Sequence, residues 1–166
     1  MQPKQYGIFS LPVIVGALGF FVDIYDLQVF IITRKASFAE LGVTNDAIQS
    51  TGESILGWQM IGLVIGGIIW GILGDKKGRT SVLFGSIFLY SAATIANGFV
   101  QDISTYTILR FVAGLGLAGE LGASITLTSE MLPKEKRGLA AALIATSGVM
   151  GTIVAYFVLK LSNDWR

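Results

Sequence analysis

The residues of this sequence that could do chemistry are a few charged side chains set inside long apolar stretches. Asp23 and Asp26 lie in one stretch, and Arg110 and Glu120 lie in another. The chain has no cysteine and no histidine, which removes disulfides, thiolate chemistry, imidazole bases and nearly all zinc or haem ligation. Nucleophilic catalysis would have to rest on serine, threonine or lysine, and the sequence contains no such constellation. It therefore predicts no enzyme, no metal site and no cofactor.

The two aspartates form a pair on one helix face, because residues three apart point in similar directions. Gly16 and Gly19 continue this face as a stripe of small and polar residues. The stripe cannot face lipid, since a carboxylate at mid-bilayer costs about 2.5–3.5 kcal/mol even on the gentlest scale. The acids must line a wet cavity, bind cations or titrate, and such a pair can load and release a proton. The alternative is that one acid pairs with a basic residue on another helix.

Composition indicates what surrounds these charges. Of the 166 residues 52% are apolar and only 14% are charged, whereas a soluble domain carries about 25% charged residues. So few charges could not cover a water-facing surface. The formal net charge of +1 gives no electrostatic reason to expect a nucleic-acid partner. The lipid bilayer is the expected partner.

Five segments are long enough to cross a bilayer as helices, which takes about 20 mostly apolar residues. They are residues 8–33, 54–74, 80–100, 105–131 and 138–160. Lipid tolerates only helices or closed barrels, and no segment alternates polar and apolar residues. The predicted fold class is therefore an all-α membrane protein. Residues 34–53 are predicted to be a polar loop, and residues 76–79, 101–104 and 133–137 are predicted to be short turns.

Lysine and arginine predict the orientation, because cytoplasmic loops carry an excess of both. The short turns 76–79 and 133–137 are basic, so we place them in the cytoplasm together with the N-terminus. The first helix is too long for a cleavable signal peptide and contains two acids, so we interpret it as a signal anchor. A multi-pass protein of the plasma membrane, in a bacterium the inner membrane, is expected.

The turn after the second helix carries the most specific motif. Its residues fit the pattern Gly-x-x-x-Asp-[Arg/Lys]-x-Gly-[Arg/Lys] at Gly71, Asp75, Lys76, Gly78 and Arg79. This pattern resembles the signature loop of the major facilitator superfamily, and it occurs at the same place, between helices two and three on the inner side. Thr80 stands where a second basic residue is usual.

A second turn resembles the Glu-x-x-Pro-x-x-x-Arg-Gly element of that superfamily's sugar-porter and metabolite-symporter branches. The matching residues are Glu130, Pro133, Arg137 and Gly138. In the family, the charges of these two turns hold an inner gate closed. The resemblance therefore implies a gate role here, while a solvated pair at the membrane surface is the alternative reading of the same charges.

The fourth helix resembles that of the proton-coupled metabolite and phosphate symporters in its Arg-x-x-x-Gly-x-Gly-x-x-Gly-Glu arrangement. Arg110 and Glu120 are about 15 Å apart along the axis at 1.5 Å per residue. Ala118-Gly119 replaces the usual Gly-Gly pair, and Glu120-Leu121-Gly122 replaces the Asp-Tyr-Pro of the phosphate branch. These departures argue against phosphate as the substrate. The Asp-x-x-Asp of the first helix also resembles proton symporters of this superfamily.

The uncharged small and polar residues have simpler interpretations. Glycines permit close helix packing in lipid, and this role is predicted for Gly62, Gly66, Gly67, Gly71, Gly74, Gly148 and Gly151. Gln59 in the second helix is a candidate for the cavity, and it could equally cap a neighbouring helix. Asn97 is a further polar candidate.

The resemblance covers the whole chain and implies a fold of twelve helices in two halves, each built from two inverted three-helix repeats. It implies proton-coupled uptake of a small solute, an organic metabolite or a sugar, by alternating access. Asp23, Asp26 and Glu120 would couple protons, and Arg110 would tune a carboxylate or meet an anionic solute. Two alternatives stay open, a sugar-type uniporter and a truncated membrane protein that does not transport. The sixth helix and the C-terminal half are absent from the sequence, and we expect them downstream.

Overall fold

The described part of the chain forms a bundle of five long helices. The computed structural model describes residues 10–161, apart from the side chains of residues 11, 12, 124 and 127–131. The helices are α1 (Leu11–Glu40), α2 (Ile48–Lys77), α3 (Arg79–Asn97), α4 (Ile103–Met131) and α5 (Lys134–Leu161), and a short 3-10 helix occupies Asn45–Ala47. Residues 10–161 contain no strand. The all-α prediction is therefore confirmed.

The bundle has the surface of a membrane protein. Four helices among the described residues are long and apolar enough to cross a bilayer, at Val13–Glu40, Asn45–Lys77, Arg79–Asn97 and Lys134–Leu161. Large apolar side chains cover the outside, such as Val64 on α2 and Phe88 on α3, which are 63% and 76% exposed. A surface of this kind is suited to lipid and not to water. The remaining long helix, α4, carries Arg110 and Glu120 and packs against both α2 and α3.

The predicted polar loop over residues 34–53 is largely wrong, because both flanking helices continue into it. α1 runs to Glu40 and α2 begins at Ile48. Gly42, with φ +80°, ends α1, and the Val43 amide donates to the Phe38 carbonyl at 2.9 Å. This is a glycine-based helix stop. Apolar length measures only the part of a helix that lies in lipid, whereas α1, with 30 residues, is about 45 Å long.

Apolar packing supports these helix extensions outside the hydrocarbon. A buried cluster at this end of the bundle contains Phe30, Phe38, Ile48, Ile55, Val100 and Tyr106. Phe38 is fully buried although Arg34, Lys35 and Glu40 surround it in sequence. A single buried aromatic among charged residues does not raise local hydropathy much, so the sequence pattern did not reveal the extension.

The helices pair in a way that suits inverted repeats. α1 packs mainly against α5, and α4 packs mainly against α2 and α3. A Cβ on Gly62 would overlap the Phe111 carbonyl of α4, and a Cβ on Gly151 would overlap the Phe21 carbonyl of α1. The first helix of each predicted repeat thus contacts the second helix of the other through glycines. The packing role is confirmed for Gly62, Gly66, Gly148 and Gly151, each of which leaves no room for a side-chain carbon.

Two other glycines of α2 make no such contact with the described residues, so for them the packing role stays a prediction. No described atom lies within 4 Å of a Cβ built on Gly67 or Gly71. Successive helical residues are rotated by about 100°, so Gly67 points away from the face that Gly62 and Gly66 share. Glycine spacing alone did not distinguish the packed face of α2 from its open face.

The connecting turns are short. Gly78, with φ +89°, joins α2 to α3 without an intervening loop. Before α4, Asp102 Oδ1 accepts a hydrogen bond from the Thr105 amide at 2.8 Å, which caps the helix and lowers the pKa of Asp102. The predicted turn 133–137 is shorter than expected, because α5 already begins at Lys134. Proline ends α4 there but is well suited to the start of the next helix.

Candidate functional site

An ion pair joins the two helices that carry the intramembrane charges. Arg110 Nη1 of α4 donates to Asp26 Oδ2 of α1 at 2.5 Å. The side chains of Arg110 and Asp26 are only 6% and 11% exposed. A charge in hydrocarbon needs a partner, and each of these groups supplies it for the other. The alternative interpretation of the aspartate pair, a basic partner on another helix, therefore holds for Asp26.

Two aromatic rings hold the guanidinium of Arg110 in place. Its Cζ atom lies 4.8 Å from the centroid of the Phe30 ring and 5.6 Å from that of Tyr106. The Tyr106 hydroxyl also accepts a long hydrogen bond from Nη2 at 3.5 Å. Cation–π contacts of this kind are worth about 2 kcal/mol when desolvated. Arg110 is thus positioned by packing as well as by charge.

Sequence reasoning missed both aromatic residues, although a signal was available. Phe30 follows Asp26 by four residues, and Tyr106 precedes Arg110 by four. Residues four apart share a helix face, so each ring had to lie one turn from its charged neighbour. The rings themselves are 6.1 Å apart and close to parallel.

Asp23 lies next to this pair, but no cation pairs with it among the described residues. It is only 3% exposed, and neither carboxylate oxygen has a hydrogen-bond partner within the described part of the chain. Asp26 on one side and Glu120 on the other both act on it electrostatically. The two aspartates, which are equivalent in the sequence pattern, therefore have different surroundings.

Glu120 of α4 lies against α1 at Gly19, which precedes Asp23 by one helical turn. A Cβ on Gly19 would overlap the Glu120 carboxylate, so the glycine leaves the space that this side chain occupies. Glu120 is 6% exposed and lines a cavity of about 240 Å³ together with Gly19 and Tyr90. The structure thus brings Asp23, Asp26, Glu120 and Arg110 together along the α1–α4 contact.

Gln59 is the remaining predicted cavity residue. It is fully buried on α2, and neither atom of its side-chain amide has a hydrogen-bond partner among the described residues. Its backbone carbonyl lies against Gly114 of α4. No hydrogen bond joins Gln59 to the Asp26–Arg110 pair within residues 10–161. The structure places it in the interior without a hydrogen bond to the described charged groups.

The predicted gate residues lie at the opposite end of the bundle from the long α1–α2 connection. Asp75 and Arg79 form an ion pair of 3.6 Å across the α2–α3 turn, with side chains 75% and 36% exposed. Exposed pairs of this kind contribute little to stability. Gly71 and Arg79 line a cavity of about 230 Å³ with Trp70, whose indole N–H donates to the Leu115 carbonyl at 2.6 Å. Sequence reasoning gave no signal for Trp70.

The second gate turn is held by its own backbone. Arg137 Nε donates to the Leu132 carbonyl at 3.0 Å, and the Lys136 amide donates to the Pro133 carbonyl at 2.9 Å. A Cβ on Gly138 would meet no described atom within 4 Å. The Glu130 side chain lies outside the described residues, and Lys76 is exposed on the neighbouring turn. Contact between the two turns stays a prediction.

Comparison with known proteins agrees with this arrangement of helices and motifs. Residues 14–165 match the sequence profile of the Major Facilitator Superfamily.

The chain belongs to the major facilitator superfamily.

Relatives in this superfamily cover a range of solutes. A protein of Haemophilus influenzae named for metabolite transport is 34% identical over 166 residues, covering 98% of this chain and 39% of its own length. The niacin transporter NiaP of Acinetobacter baylyi is 32% identical, over 91% of this chain and 34% of its own. The arabinose-proton symporter of Bacillus subtilis is 31% identical, over 92% of this chain and 28% of its own length. The chain spans about a third of the length of these curated relatives.

Proposed function

We propose that this chain is the N-terminal part of a secondary active transporter that carries a small solute, an organic metabolite or a sugar, by alternating access. The observation that carries the proposal is the buried Asp26–Arg110 ion pair between α1 and α4. Asp23 lies beside it and has no hydrogen-bond partner among the described residues. Those two helices are the equivalent first members of the inverted repeats, and transporters of this design bind their solutes at the repeat interface near mid-membrane. Membership of a superfamily whose matched members are named as transporters supports the same reading.

Proton coupling is the second part of the proposal. When Asp26 takes up a proton it loses its charge, and Arg110 is then free to meet an anionic or hydroxyl-rich solute. When the solute leaves, Arg110 returns to Asp26 and the proton is released. Asp23 and Glu120 lie along the same helix contact and provide further proton-carrying groups. The match to an arabinose-proton symporter supports this mode of coupling.

The orientation and the gate belong to the same proposal. The N-terminus and the basic turns at 76–79 and 133–137 would face the cytoplasm, in a bacterium across the inner membrane. Asp75, Arg79, Glu130 and Arg137 would hold the inner gate together with the second half of the transporter. The short basic turns support this orientation. The position of Asp75 supports the gate, since its side chain is 75% exposed at the turn, where a partner surface can contact it.

The test is solute uptake into proteoliposomes that contain the full-length gene product. A panel of sugars, sugar acids and aromatic acids is offered with and without an inward pH gradient. We expect saturable uptake of at least one solute to exceed its external concentration only while the gradient lasts, and to collapse with a protonophore. Saturable uptake that never exceeds the external concentration would favour a uniporter. A full-length protein that moves none of the panel solutes, in uptake or in exchange, would contradict the transporter proposal.

A further inference from the structure

α3 presents a polar face to the charged site. Tyr90, Thr94 and Asn97 are spaced by four and three residues, so they form one column on the helix. Tyr90 and Asn97 are buried, at 4% and 7% exposed, whereas Phe88 and Ile95 on the other side of α3 face outward. Tyr90 lies within electrostatic range of both Asp23 and Asp26. A helix that only filled space behind α1 and α4 would not need this column.

A cavity of about 180 Å³ lies beside the column, bounded by α1, α3 and α4. Asp26 of α1, Arg110 of α4, and Thr94 and Asn97 of α3 all line it. The cavity reaches Gly98, the residue that follows α3, on the same side as the long α1–α2 connection. At about 30 Å³ per water molecule, it has room for several waters.

Polar atoms at the edge of this cavity need partners that the described protein atoms do not supply. Asn97 Oδ1 is a buried acceptor and Arg110 Nε is a buried donor, and neither has a hydrogen-bond partner among the described residues. Leaving such a group unsatisfied costs about 1–3 kcal/mol. Water is both donor and acceptor, so a small cluster satisfies both atoms at once. Side-chain groups at this edge are therefore better explained by hydration than by packing.

We propose that this cavity is a water site that connects Asp26 to the external surface of the membrane in which the protein lies. Protons reach Asp26 through this water. The inference rests on the proposed function for its proton role and for its sidedness. The route runs inside the five-helix bundle along α3, so protons and solute need not use the same opening. The ligand class is water together with the proton that it carries.

The charged and titratable groups around Asp26 come from three helices. They are Asp23 and Tyr25 from α1, Tyr90 from α3, and Tyr106 and Arg110 from α4. On α5, Gly148 and Gly151 contact this part of α1, and the titratable side chains of the second half of α5, Tyr156 and Lys160, are exposed. Arg110 is the one cation among these described groups, and Asp26 is the carboxylate among the residues that line the cavity.

Hydration can be measured without transport, because the chain has no cysteine. Thr94→Cys and Asn97→Cys are introduced singly into the full-length protein and treated from outside with a small charged methanethiosulfonate. Ile95→Cys, on the lipid face of the same helix at similar depth, is the matched control. Only a hydrated thiol ionises and reacts, so we expect the cavity positions to react at least about tenfold faster than Ile95→Cys. Equal, slow rates at all three positions would overturn the water site.

The proton role is tested by filling the cavity. Thr94→Val combined with Asn97→Leu removes the polar lining and adds bulk, whereas Thr94→Ser keeps the hydroxyl and is the control. We expect the filled variant to lose at least about tenfold in initial rate of pH-driven uptake while solute exchange at equal pH is kept. A filled variant that keeps its pH-driven rate would overturn the route, even where labelling confirms water.

These outcomes are distinct from failure of the proposed function. If wild-type uptake ignores the pH gradient, proton symport and the proton role of the cavity both fail, while the labelling experiment still decides whether water is bound. If wild-type uptake follows the gradient and neither Thr94→Cys nor Asn97→Cys reacts faster than Ile95→Cys, proton symport stands and the water site is wrong. Circular dichroism of each variant checks that a loss is not caused by unfolding.

Discussion

Asp26 Oδ2 and Arg110 Nη1 lie 2.5 Å apart inside the bundle, although the two residues are 84 positions apart in the chain. Asp23, one turn away on the same helix, has no cation partner among the described residues. The two aspartates are the same residue type at nearly the same depth, so they form a matched pair for experiments. Substitution of Asp26 should break an ion pair, and substitution of Asp23 should remove an acid that has no counter-charge.

We therefore expect opposite effects on stability. Asp26→Asn leaves the Arg110 guanidinium buried without its carboxylate, and breaking a buried pair in this way costs about 3–5 kcal/mol. Asp23→Asn removes an acid from an apolar site, and we expect it to be neutral or stabilising by about 1 kcal/mol. Thermal unfolding of both variants in detergent gives the comparison. A loss of stability in Asp23→Asn as large as that in Asp26→Asn would show that Asp23 has a partner of its own.

Transport measurements test whether the acids of α1 carry the coupled proton. An asparagine amide resembles a protonated carboxyl in size and hydrogen bonding but cannot ionise. In the full-length transporter, Asp26→Asn should therefore abolish accumulation driven by a pH gradient and leave solute exchange measurable. Asp23→Asn is the companion variant. If the single variants and the double variant all still concentrate solute in step with the gradient, α1 does not carry the proton, and Glu120→Gln becomes the next variant to measure.

Two glycines on α2 should respond differently to the same change. A Cβ on Gly66 would overlap the backbone of Leu115, so Gly66→Ala must push α2 away from α4. Overpacking of this kind costs about 1–3 kcal/mol. A Cβ on Gly67 meets no described atom within 4 Å, and alanine is the better helix former by about 1 kcal/mol. Gly67→Ala should thus keep or raise the unfolding temperature while Gly66→Ala lowers it. Equal shifts would mean that α2 packs on a different face.

The proposed orientation can be read from single cysteines in intact cells. Lys76 is exposed on the α2–α3 turn, and Asp46 is exposed between α1 and α2 at the other end of the bundle. With the N-terminus inside, an impermeant maleimide added outside should label Asp46→Cys and leave Lys76→Cys unlabelled until the cells are opened. Labelling of Lys76→Cys before lysis would reverse the orientation, and with it the outer position of the cavity beside α3.

The sequence by itself determined the fold class and the kinds of residue at the site. Apolar length is a local property, so long runs such as 54–74 and 138–160 indicated membrane helices without knowledge of their neighbours. The cost of a charge in lipid likewise required Asp23, Asp26 and Glu120 to turn inward. The superfamily motif at Asp75 and Arg79 could also be read from the sequence, because the motif lies within one turn and involves no distant contact.

Only the tertiary structure decided which groups meet. The i, i+3 spacing of Asp23 and Asp26 treats them alike, but the register between α1 and α4 brings Asp26 to Arg110 and Gly19 to Glu120. That register depends on close backbone contacts between distant residues, such as Gly62 with Phe111 and Gly151 with Phe21. The extension of α1 to Glu40 depends likewise on Phe38 packing against residues of other segments. Local patterns carry no information on register, because the free energy that selects it arises from contacts between helices and not within them.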